Sequence, residues 1–173
     1  MSRCDRDLGL ARSTRVGRAS SFIVIGALLM VTGLPGELGP RAGHAGTLTL
    51  RLSPATLNFP DADPDVVPQI GPATVNVEVK ATGAPGYPWV LTLLGNSDLR
   101  SGADVIPISA ISWTATPSPP FRDGTLSLVS PITLGSGIAH INSTLRMDFR
   151  LQNSWAYNAG SYSARATFTL TAP

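Results

Sequence analysis

Three aspartates alternate in the pentapeptide DADPD, and Asp61, Asp63 and Asp65 are the first side chains here whose spacing suits chemistry. Alternate carboxylates are one way a loop gathers hard oxygen ligands around Ca²⁺. The stretch lacks the glycine after the third acid and the downstream glutamate of a helix–loop–helix calcium site. A solvated acidic turn is therefore the preferred reading, and calcium held by Asp61, Asp63 and Asp65 is the alternative. His140 is the second candidate. Nucleophilic triads and zinc sites need partners for a histidine, and beyond residue 45 the sequence offers neither a cysteine nor a second histidine. Gly135-Ser136-Gly137 lacks the G-x-S-x-G pattern of a nucleophile elbow. The chain is accordingly expected to be no enzyme and to need no cofactor other than the calcium alternative. Asn142-Ser143-Thr144 is an N-x-S/T sequon, which matters only in a host that glycosylates exported proteins. Trp89, Trp113 and Trp155 could line a sugar-binding face, although large aromatics at strand positions of a small domain are expected in its core.

Where such residues would work depends on the first 45 positions, which differ from the rest. Arg3, Arg6, Arg12, Arg15 and Arg18 precede FIVIGALLMVTGL, an uncharged run of thirteen residues from Phe22 to Leu34. A bilayer-spanning helix needs about 20 residues, whereas a basic region followed by an apolar run of about 7–15 residues is the pattern of a secretory signal. RAGHAG supplies small residues for cleavage after Ala45. The expectation is a Sec-type signal peptide over 1–45, one domain over 46–173, and a secreted or cell-surface location, with membrane contact only through the signal before its removal. Residues 1–45 hold six of the thirteen basic residues and three of the eleven acidic ones, leaving seven against eight. The basic character of the whole chain thus belongs to the leader, which removes the bulk-charge argument for nucleic-acid binding. Cys4, the only cysteine, also falls in the leader, so the remaining 128 residues must hold together by packing alone.

Beyond residue 45, proline and glycine punctuate short runs rich in Val, Ile, Leu, Thr and aromatics, with no 3.6-residue apolar period. TLTLRL, TVNVEVKA and TLRMDFRL alternate apolar with polar residues, as half-buried antiparallel strands do. Strands are expected near 47–52, 55–59, 73–81, 89–94, 105–114, 125–129, 143–152 and 160–171. WVLTLLG and VIPISAISW are apolar on both parities and read as central or covered strands. PDADPDVVPQIGP and PSPPFRDG read as stiff surface connections, because proline cannot donate to a ladder. The fold class is all-β: a single antiparallel, immunoglobulin-like sandwich.

The stretch AGSYSARATFTLTAP alternates most regularly. Tyr162, Ala164, Ala166, Phe168 and Leu170 share one parity, and Ser or Thr fills most of the other. An Ala-Gly-x-Tyr turn (Ala159, Gly160, Tyr162) leading into such a strand resembles the closing strand of bacterial secreted sandwich subunits, the spore-coat-U-like proteins and chaperone-usher pilins. Ala172 stands where that group has an aromatic, and no extension ahead of LTLRL offers itself as a free strand. The same closing stretch, together with Trp89-Val90-Leu91, resembles WxL-type cell-surface domains. The pilin likeness implies assembly by strand addition, with Tyr162, Phe168 and Leu170 as groove-filling or core side chains and Gly160 allowing a sharp entry to the strand. The expected function is that of a non-enzymatic structural or adhesive surface protein, a fibre or coat subunit with protein partners or copies of itself; the alternative is a WxL-like cell-wall or carbohydrate-binding module.

Overall fold

The alternation becomes sheet almost throughout. A computed structural model of the chain describes residues 20–24, 47–82, 88–138 and 140–172. In chain order the strands are β1 (Ser20–Val24), β2 (Thr47–Ser53), β3 (Thr56–Phe59), β4 (Gln69–Thr82), β5 (Trp89–Gly95), β6 (Leu99–Ser101), β7 (Asp104–Ile106), β8 (Ile111–Thr116), β9 (Gly124–Thr125), β10 (Ile132–Gly137), β11 (Ile141–Gln152), β12 (Ser161–Tyr162) and β13 (Ala166–Thr171). The rest of the expected signal peptide, including the cleavage position at Ala45, lies outside the described residues.

Antiparallel neighbours in the order β2-β4-β11-β8-β9 form one layer, and β10-β5-β13 form the second. The long β4–β11 pair is the spine: Val75, Val77 and Val79 sit opposite Met147, Leu145 and Ser143, and the three valines, Leu145 and Met147 are buried. From the other layer Trp89, Leu91 and Leu93 of β5 and Phe168 and Leu170 of β13 join the same core. Burying one such side chain is worth about 1.5–3 kcal/mol, so a domain with no disulfide among its described residues draws its stability from this cluster. Trp113 and Phe149 pack with ring centres 6.0 Å apart, and the Trp113 indole N–H donates to the Arg122 carbonyl at 3.0 Å.

The differences from the expected strands have local causes. The run VIPISAISW divides at Pro107: β7 ends at Ile106, one 3-10 turn spans Ile108–Ala110, and β8 starts at Ile111. Its residues are apolar on both parities because the turn changes which parity faces inward: Ile106, Ile108 and Ala110 are buried, and so are Ile111, Trp113 and Ala115. Strand β4 begins before the expected position, passing through a bulge where two residues, Gly71 and Pro72, lie across from Arg150. Gly71 has φ +125°, and a Cβ there would stand 2.7 Å from the Phe149 carbonyl oxygen, so only glycine fits the bulge. The expected strand over 125–129 shortens to β9, and β10 forms over a glycine-containing stretch for which no strand was expected.

Strand order and a tyrosine give the sandwich its immunoglobulin-like character. Labelling strands as in an immunoglobulin domain, β2, β4, β11 and β8 take the A, B, E and D places, β5 takes C, and β12–β13 take F. The buried Tyr162 donates its hydroxyl to the Asn158 carbonyl at 2.8 Å, four residues upstream, the arrangement of a tyrosine corner at the start of strand F.

Candidate functional site

Beside strand F an immunoglobulin domain places strand G, and here that place is taken by β1. Ser20 and Ser21 pair in parallel with Ser161 and Tyr162 of β12. On its other side β1 runs antiparallel to β3, with Ser21, Phe22, Ile23 and Val24 opposite Phe59, Asn58, Leu57 and Thr56. Among the described strands β3 pairs with β1 and with no other. The slot between β3 and β12 is thus walled by two strands that β1 alone joins into one sheet.

The walls are fixed by burial. Leu57 and Phe59 are buried in the common core while Thr56 and Asn58 are exposed, so alternate positions of any strand in the slot face the core. Tyr162, 1% exposed, stands on the opposite wall. Gly160 precedes it, and its smallness answers a close approach: a Cβ there would lie 2.6 Å from Ser101 Oγ. Among the described residues the positive-φ glycines are Gly71 and Gly102, so Gly160 does not owe its place to a left-handed backbone. Along Ala166–Thr171, β13 pairs only with β5, so the F edge continues past the slot without a described partner strand.

The end of the slot where β3 finishes is braced by three loops. Asn153 Nδ2 donates to the carbonyls of Ala62 and Val67, each at 3.0 Å, and the Trp155 indole N–H donates to Asp65 Oδ1 at 2.9 Å. Asn158 Nδ2 donates to Asp104 Oδ1, at the start of β7, at 2.7 Å. These bonds tie the 60–68 loop and the β6–β7 hairpin to the segment that carries the tyrosine corner. Burial of the Tyr162 phenol, helped by the nearby Asp104 carboxylate, raises its pKa above the ordinary 10.0.

The residues singled out by sequence distribute as follows. Tyr162 borders the slot, whereas Phe168 and Leu170 face the core opposite Leu93 and Leu91 and do not line it. Asp61, Asp63 and Asp65 share an exposed loop; Asp63 Oδ1 accepts the Asp65 N–H at 2.9 Å, and its carbonyl accepts the N–H groups of Val66 and Val67. Among the described residues no three His, Cys, Asp or Glu side chains come together as a metal site. Trp89 and Trp113 are buried, as expected of strand tryptophans, but Trp155 is 54% exposed. His140 is exposed and lies just before β11. A cleft of about 220 Å³ lined by Ser97, Ser163, Ala164 and Arg165 contains none of the candidates. Sequence reasoning missed β1, because three of its five residues open the apolar run that reads as the core of a leader.

No protein-family model matches this chain, and none of the curated proteins matches it. The functional argument therefore rests on the geometry.

Replacing Tyr162 with phenylalanine strips the Asn158 carbonyl of its donor inside a buried corner, at a cost of about 1–2 kcal/mol, read as a lower urea midpoint at pH 7. The raised phenol favours the folded state fully below pH 10.0, and that advantage is lost as pH rises through the folded-state value. The gap in stability between the parent protein and Tyr162→Phe is therefore expected to narrow above pH 10.0, as followed by denaturation at stepped alkaline pH.

Proposed function

We propose that this chain is an exported, non-enzymatic structural or adhesive component of a cell surface, whose sandwich is completed at the slot between β3 and β12 by a strand from a partner. The observation that carries this is the origin of the strand now in the slot: residues 20–24 belong to the stretch that reads as a leader, and cleavage after Ala45 would take them away. Without them β3 presents an unpaired row of backbone N–H and C=O groups beside a buried core, which is the template that β-augmentation uses. Main-chain hydrogen bonds would hold the incoming strand, and alternate apolar side chains would cover Leu57, Phe59 and Tyr162. The likeness of AGSYSARATFTLTAP to the closing strand of spore-coat-U-like and chaperone-usher subunits agrees with this reading.

Chain produced with its own leader in an exporting host, and recovered after processing, is expected to run as ladders that survive SDS without heating, or to aggregate when no partner is present. A heat-stable monomer of 46–173 would overturn the reading.

Trp155 favours a second reading, a glycan-binding surface module. Its indole is 54% exposed and is held in place by the bond to Asp65, so a flat apolar face is presented with little left to order on binding. Soluble cell-wall glycan fragments are then expected to quench the tryptophan emission of the intact protein but not that of Trp155→Ala. Equal quenching of both proteins, or of neither, removes this reading.

A further inference from the structure

The strand that fills the slot is part of the same chain, and this bears on when the slot is available. β1 is bound on both edges, yet by very little: two residues against β12 and four against β3. A plug of this size has few main-chain hydrogen bonds, each worth about 1 kcal/mol net, and as a free peptide it would hold weakly. Tethering changes that. Residues 25–46 link Val24 to Thr47 in one chain, so β1 meets the slot as an intramolecular strand, for which an effective concentration on the order of a millimolar is expected. A partner strand of similar intrinsic affinity at micromolar concentration is then outcompeted by about 1,000-fold.

We infer that residues 20–24 are a removable plug: while they remain in the chain they close the slot against other strands, and their loss with the leader opens it. The inference rests on the slot reading above and adds its regulation. Both states satisfy the backbone of β3 in turn, first from within the chain and then from a partner. The exchange requires no rearrangement of the β4–β11 spine, because β3 pairs with β1 alone among the described strands.

The test uses the full chain and its Ile23→Pro variant. Proline at position 23 removes a backbone donor in the middle of β1 and changes no residue of any other strand. The probe is a synthetic peptide of residues 18–26, RASSFIVIG. Hydrogen exchange at the β3 amides that point toward β1, alternate ones within Thr56–Phe59, is expected to be at least 10-fold faster in the variant, with β4 and β11 unchanged. The peptide is expected to bind the variant at least 100-fold more tightly than the parent and to restore protection at those amides. Equal binding to both proteins, binding to neither, or unchanged exchange would overturn the plug. Failure here with ladders from the processed protein leaves the assembly reading standing, whereas a closed parent with a monomeric processed protein would sink that reading and keep the plug.

Discussion

A strand edge placed against a buried core must find hydrogen-bond partners, and this constraint on β3 organises the rest of the structure. Leu57 and Phe59 commit β3 to the core, so its backbone cannot be left to float as a loop. β2 is already paired with β4 in the other layer, and the chain passes from β2 to β3 through two residues, Pro54 and Ala55. No described strand of the second layer reaches β3 directly. The partner must therefore come from outside the eight strands of the two main sheets, and β1 supplies it.

The tyrosine corner fixes the other wall of the same slot. Tyr162 is anchored at its ring by burial and at its hydroxyl by Asn158, and the bonds from Asn153, Trp155 and Asn158 fasten its loop to the 60–68 turn and the β6–β7 hairpin. The Tyr162 wall is thus held by interactions independent of β1, while β3 is held against the core by Leu57 and Phe59.

Much of this was legible in the sequence. TVNVEVKA and TLRMDFRL became the β4–β11 spine with the expected faces inward, because period-two alternation with one wet face leaves a strand a single register. The closing strand also followed its pattern, with Tyr162, Phe168 and Leu170 buried, but it divides into β12 and β13. β10 was not legible. Gly135 and Gly137 weaken any strand signal, and they are there for packing: Cβ atoms would meet the Phe121 and Trp89 rings at 2.8 Å each. The slot itself could not be read from sequence, since a leader's apolar core and a buried strand share the same composition and only the pairing of Ile23 with Leu57 tells them apart.

The register of β1 is the point on which the account stands. Val24 lies opposite Thr56 at the exposed end of β3, within the reach of a cross-strand disulfide. In full chain carrying Cys4→Ser, Val24→Cys and Thr56→Cys, mild oxidation is expected to give an intramolecular crosslink in the monomer, seen as loss of both free thiols without dimer formation. Free thiols that persist, or that join only between chains, would contradict the placement of residues 20–24 in the slot.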